Sequence, residues 1–438
     1  MFSKSKYAWL MSAFLALNAC SGKKDTLQGT RVSVLDKPQV SALQKEASKA
    51  VLLSEAQNVT TWSQTLSSAT HTSKNLLAAQ NLSERWSASF GEGADKRNLL
   101  LASPVIVDGV VYTQDVEGTV SAFDLKSGEK IFKQKLKPQN ENDSSSAMNG
   151  SGIAADTKNL YALTGFGSVF ALDLKDGNIL WRKDLNIPLR TAPTVAGGKL
   201  FVQTIDNRLF CLDTSDGAEI WTYSISAEET VLAGGAASAY DSSKQIVVTA
   251  FSNGELQAFN AQIGYPLWSN NLVSTGKFIA ASPINAVKAA PVIDGNVVYA
   301  IGNNNQMLAA NLETGDIIWQ KQIGGTATPF VDKEAVFFVS NNMDLIALDK
   351  SNGNILWQQP LLADMSAKDK AEIYISGPIL VNSQLLVATS SGDVLMFDAK
   401  TGAQKSDLHI GEPLPFGPIG ADKYIVFVSS DAELIVYQ

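Results

Sequence analysis

Asp173-Leu174-Lys175-Asp176-Gly177-Asn178-Ile179-Leu180-Trp181 decides the fold, because its pattern returns along most of the chain. Gly-x-x-x-Trp recurs at Gly217/Trp221, Gly264/Trp268, Gly315/Trp319 and Gly353/Trp357. Gly128/Phe132 is an aromatic variant, and the copy at Gly402 has Ser406 where the aromatic is due. Four residues before each glycine stands Asp124, Asp173, Asp213, Asn260, Asn311, Asp349 or Asp398. A short polar side chain at that place can accept hydrogen bonds from the backbone of a turn, and glycine tolerates the positive φ that closes it. The aromatic that follows is large enough to wedge against a neighbouring unit.

Upstream of each motif lie short alternating apolar runs separated by turn residues, as in ASPVIVDG-VVYTQDVEG-TVSAFD (102–124). These read as strands joined by hairpins. Four strands recurring every 38 to 51 residues match the blade of a β-propeller, whose sheets bury both faces against their neighbours around an axis. Seven whole units run from about Leu101 to Leu408. An eighth begins at Gly417-Pro418 and stops at Gln438 without its outer strand. Residues 82–90, LSERWSASF, place Trp86 in an outer-strand context with no inner strands of their own. A ring left open exposes two sheet edges, so 82–90 is expected to pair with the C-terminal unit. The expected fold is an all-β, eight-bladed propeller over residues 81–438, with Trp86, Phe132, Trp181, Trp221, Trp268, Trp319 and Trp357 as structural repeat positions.

The first twenty residues, MFSKSKYAWLMSAFLALNAC, place Lys4 and Lys6 ahead of an apolar stretch, as in an export signal. That stretch is too short to span a bilayer as a helix. It ends in Leu17-Asn18-Ala19-Cys20, which resembles the lipobox of bacterial lipoproteins. The resemblance implies a signal peptide over 1–19 and acyl chains on Cys20, a stable anchor. Ser21, rather than Asp, points such a lipoprotein to the outer membrane. Residues 20–80 then read as a lipidated tether, with a short helix in 39–56 after Asp36-Lys37-Pro38, and with Trp62 and His71 docking on the ring.

Composition narrows the function. The formal charge is −8, about −10 once residues 1–19 are removed, which argues against nucleic acid as a partner. Only His71 and His409 are available for histidine chemistry, and both read as docking or surface residues. Cys211 falls at a core-facing repeat position and reads as a small buried hydrophobe. Gly165-Phe166-Gly167 and Gly234-Gly235 read as hairpin turns and not phosphate cradles, since neither opens a helix. Lys368-Asp369-Lys370-Ala371-Glu372 reads as a charged, solvated loop.

The repeats resemble the pyrroloquinoline quinone (PQQ) type. The whole exported region resembles the BamB lipoproteins of the outer-membrane β-barrel assembly (BAM) machinery, α-proteobacterial forms most of all. Cys20, Trp62-Ser63-Gln64…His71, Arg85-Trp86 and Ile323–Phe330 (IGGTATPF) ahead of NNMDLIALD carry that likeness. It implies a non-catalytic scaffold in the periplasm, held at the outer membrane by its lipid. It also implies binding to the periplasmic domains of BamA and to other BAM components, with unfolded outer-membrane proteins as further partners. Aligned by the repeats, the family's contact surface falls at Thr230, Val231, Leu232, Ala233 and Gly234, and at Ala286 and Lys288. Leu232 keeps the apolar residue; Ala233 stands where arginine is expected, and Ala286 and Lys288 stand where acids are expected. No cofactor is expected.

Two other readings remain. A PQQ-dependent periplasmic dehydrogenase needs a Ca²⁺ site of several oxygen ligands, a base and a flat quinone pocket. The once-per-blade Asp residues are already explained as turn ligands, and no adjacent cysteine pair exists. A propeller binding a ligand or cell-wall component in its central channel is the third reading.

Overall fold

The computed structural model describes residues 51–138, 152–189, 191–226, 234–272, 287–363, 365–370 and 372–438. Among them are thirty-two strands, numbered in chain order, in eight four-stranded antiparallel sheets. The first sheet is β2 (Val105–Val107), β3 (Val110–Gln114), β4 (Thr119–Asp124) and β5 (Lys130–Lys135), paired in that order. Six more repeat it consecutively. The first strands of successive sheets contact each other around the axis, so each blade runs outward from a central channel.

The eighth blade closes the ring. It consists of β30 (Ile419–Ala421), β31 (Tyr424–Val428), β32 (Glu433–Tyr437) and, as its outer strand, β1 (Glu84–Ser89). Trp86 pairs with Val436 and Ser89 with Glu433, as expected of the split unit. The middle strands are buried along nearly their whole length, because both faces of each sheet meet a neighbouring blade.

The repeat motif is an interblade staple. Asp124 Oδ1 accepts the N–H groups of Lys126 and Ser127 at 3.0 and 2.7 Å. Asn260, Asn311 and Asp398 cap their turns in the same way. The Ser127 N–H bond holds the Asp124 carboxyl below the usual range, and the Ser215 hydroxyl does so for Asp213. Each glycine of the motif has φ between +69° and +77°, and a Cβ there would strike the aromatic of the preceding blade. At Gly264 it would stand 2.6 Å from the Trp221 ring. Six tryptophans also donate their indole N–H to the turn of the next blade. Trp181 reaches Thr214 O at 3.0 Å, Trp268 reaches Leu312 O at 2.8 Å, and Trp86 reaches Leu125 O at 3.0 Å across the closure. Phe132, with no such donor, packs on Gly177 all the same.

The missing aromatic at Ser406 now has a physical reason. Its outer strand, Gln404–His409, faces the closing blade, where no third-to-fourth-strand turn exists. The chain ends at Gln438 and re-enters near Ser83, the two exchanging backbone bonds at 3.0 and 3.1 Å. This junction joins two segments far apart in sequence, where the other blades have a hairpin turn.

Several local readings are corrected or located. Of the stretch 39–56, residues 51–56 are described and carry no helix; Val51 is instead buried against Phe330 and Leu380. Gly234-Gly235 is no hairpin turn: it leads into the first strand of the fourth blade, while Gly165-Phe166-Gly167 does form a hairpin turn. Lys368 and Lys370 belong to α1 (Ala367–Lys370), a single helical turn. Cys211 is fully buried, and burial pushes its thiol up to about 12.

Candidate functional site: the strap, the cup and the partner loops

Residues 51–80 do more than leave the ring. They cross the channel as a strap that hydrogen-bonds every blade. The first strand of each sheet offers a free backbone edge to the axis, and unpaired buried edges are costly. Ser54 N–H donates to Asp332 of the sixth blade at 2.8 Å, and Val59 O accepts from Asp422 of the eighth at 2.7 Å. Trp62 and Ile106 of the first blade exchange both backbone bonds at 2.7 Å. Ser63 O accepts from Ala155 of the second. The Gln64 amide reads the third blade as a backbone would, donating to Val195 O at 3.0 Å and accepting from Val195 N–H at 3.3 Å. Ala69 O and Thr70 O accept from Tyr240 and Ile293 of the fourth and fifth. Leu76 donates to Leu380 O and accepts from Asn382 N–H of the seventh, both at 2.8 Å.

His71 fixes the far bend of the strap. It is buried at a positive φ of 62°, with Nδ1 2.7 Å from Pro291 O. A carbonyl only accepts, so Nδ1 carries the proton. Burial lowers its pKa from 6.5 to about 4, partly offset by the Pro291 bond. Between those values the unfolded chain binds the proton and the folded one does not. Stability present above pH 6.5 is therefore lost as the pH falls toward 4, by about 3 kcal/mol in full. A His71→Gln variant should show a shallower decline of melting temperature between pH 6.5 and 4 than the parent. Parallel curves would show that His71 does not couple the strap to protons.

The strap gives the channel a floor. Above it lies a cup of about 580 Å³, open on the side where outer strands connect to the next blade. Trp62, Thr65 and Leu66 form its floor, and Leu100, Leu414 and Phe416 stand among its walls. Lys288, at the entry to the fifth blade, lines it too. Lys288 is exposed, and partial desolvation lowers its pKa. Of the other residues expected at the partner surface, Thr230, Val231, Leu232, Ala233 and Ala286 lie outside the described residues, as does Cys20, the expected lipidation site. Lys288 and Gly234 are neighbours: a Cβ on Gly234 would lie 3.7 Å from Lys288 Cε.

Nothing in the residue pattern signalled the strap's course. Trp62 and His71 were expected to dock on the ring, Gln64 stood out only as part of a likeness, and Leu76 not at all.

Comparison with known proteins settles the family. The family model described as outer membrane protein assembly factor BamB matches residues 116–359, more than half of the chain. The chain belongs to the BamB family. The BamB of Yersinia pestis is 28% identical over 241 residues, covering 55% of this chain and 61% of that protein. The BamB of Burkholderia pseudomallei is 28% identical over 237 residues, 54% of this chain and 58% of its own. The chain thus spans about three fifths of the length of these curated relatives. Among solved structures, BamB from Moraxella catarrhalis superposes with a TM-score of 0.65 at 18% identity, covering 82% of this chain and 98% of that one. A europium-containing methanol dehydrogenase superposes equally well, TM-score 0.67 at 14% identity, covering 86% and 98%. At such identities both likenesses speak for the eight-bladed fold alone.

Proposed function

We propose that this BamB-family chain is a non-catalytic scaffold of the outer-membrane β-barrel assembly machinery. Cys20 carries its lipid anchor, the propeller faces the periplasm, and the loops that enter the fourth and fifth blades bind the periplasmic domains of BamA. The observation that carries this reading is the family match, which runs through those blades. A second observation weighs against the dehydrogenase alternative, whose Ca²⁺ site would need free oxygen ligands. The repeat carboxylates are committed to turns, each accepting backbone N–H bonds from residues two or three further on.

Purified full-length protein mixed with the periplasmic domains of BamA from the same organism should be recovered as a complex by pull-down. Failure to bind, with both partners folded, would overturn the assignment. The same preparation heated with and without PQQ and Ca²⁺ should melt at one temperature; a clear rise would favour the dehydrogenase.

A further inference from the structure

The turn between third and fourth strands recurs in seven blades, and the fourth blade's copy departs from the rest. Each of the other six places a charged side chain between its Asx residue and the aromatic position; Asn260-Ala261-Gln262-Ile263-Gly264-Tyr265-Pro266-Leu267-Trp268 has none. Ile263 stands where the others have Ser127, Asp176, Asp216, Thr314, Asn352 and Thr401, and no other turn has an aromatic where Tyr265 stands. The turn closes without either side chain. Asn260 Oδ1 accepts the N–H groups of Gln262 and Ile263, and Gly264 supplies the positive φ. Ile263 is 69% exposed and Tyr265 65%. The staples that set Gly264 on Trp221 and Gly315 on Trp268 bring the neighbouring rims alongside, where Ile220, Leu267, Ile317 and Ile318 are each 41–48% exposed. Single exposed apolar residues are ordinary, but a group of them across three blades, with an uncharged turn at its centre, marks a contact surface.

Two observations choose what lies against it. Ile263 and Tyr265 project from the tip of a hairpin turn, which suits a medium that yields around them, and aliphatic side chains beside a tyrosine with an apolar ring and a polar tip are the make-up of a lipid–water boundary. The rim also faces the side on which the strap lies. Ser54, Val59 and Leu76 bond Asp332, Asp422 and Asn382 in first-to-second-strand turns. Those turns share a side with the third-to-fourth-strand turns, as the bond from Ala261 N–H to Gln245 O at 2.8 Å shows in the fourth blade. We infer that the rim centred on Ile263 and Tyr265 rests in the interfacial layer of the lipid membrane that holds the chain by Cys20. The inference deepens the lipid-anchor reading and rests on it: the anchor makes the second contact intramolecular, so a few exposed side chains suffice. The strap side then faces the lipid and the mouth of the cup faces away.

The test uses the full-length lipidated protein in vesicles of phosphatidylethanolamine and phosphatidylglycerol, with the fluorophore NBD on Gln262→Cys, an exposed neighbour of Ile263. Cys211 is fully buried, and Cys20 would carry lipid, so the label has one site. NBD there should shift to the blue, be quenched by doxyl-labelled lipid, and be quenched several-fold less by aqueous iodide than on Lys126→Cys, the same place in the first blade's turn. Ile263→Asp/Tyr265→Asn, which installs the residues the second blade holds at these positions, should return the Gln262→Cys label to water. A protein that fails to float with the vesicles would remove the anchor and this inference together. Flotation with both labels equally open to iodide would overturn the inference alone. Shielding from iodide without quenching by doxyl lipid would assign the rim to a protein, a second copy included, and overturn it as well.

Discussion

Replacing residues 81–90 by a Gly/Ser linker of equal length lowers the melting temperature of the entire propeller by on the order of 10 °C. The segment contributes the outer strand of the closing blade, from Glu84↔Tyr437 to Ser89↔Glu433. It also carries Trp86, stapled to Leu125 O and Gly128 of the first blade, and Phe90, 1% exposed in the core. Losing the buried Phe90 alone typically costs about 3–5 kcal/mol, before the half-buried Trp86 and the backbone pairing are counted. The loss is not confined to one blade, because an unclosed ring exposes a sheet edge on β32 and an unpacked face on the first blade. Differential scanning calorimetry checks this; an unchanged transition would refute closure by the split blade.

The strap yields the second large effect. Leu76→Asp should destabilise the protein by about 4 kcal/mol or more, since it puts a carboxylate with no partner in an apolar site. Leu76 is 2% exposed, bonded on both sides of its backbone to the seventh blade, with its side chain against Gly420 of the eighth. Leu77→Asp is the control. Leu77 follows directly but is 36% exposed, and a surface change there should stay within about 0.5 kcal/mol. Urea denaturation of the two variants separates a strap that ties the ring from a passive tether, for which both would be silent. The mutant should also lose protease resistance between residues 51 and 80 before the blades do, because the strap is held by one or two bonds to each partner where a blade strand is held by a ladder.

The contrast between blade and strap explains what could be read and what could not. A blade is a local object. Asp213, Gly217 and Trp221 lie within nine residues, and their jobs as turn acceptor, positive-φ residue and wedge can be named from chemistry alone. The absent aromatic at Ser406 was equally visible as a departure, although its reason, a junction without a turn, needed the closed ring. The strap has no such period. Its partners are the backbone edges of seven sheets and the Asp332 carboxylate of the sixth blade, and a backbone edge pairs with an N–H or C=O from any residue, so that pairing leaves no pattern in side chains. Only the places where a side chain must do the reaching show through: Gln64, which mimics a backbone amide, and His71, which turns the chain at Pro291. Of the stretch 39–56, expected to hold a short helix, only 51–56 are described, and there Val51 occupies a core site.

For this protein, then, the amino-acid order by itself determined the repeat, the count of eight and the junction at which the ring closes, since all three depend on contacts within a unit or between adjacent units. Tertiary structure alone decided that the channel is floored, that Trp62, Thr65 and Lys288 share one cup, and that residues 51–80 bind every blade. Strap and blade partners lie from 44 residues apart, Trp62 and Ile106, to 363 apart, Val59 and Asp422, along the chain. Only when eight sheets stand around one axis do their inner edges converge on a single segment, and no local rule of side-chain spacing encodes that convergence.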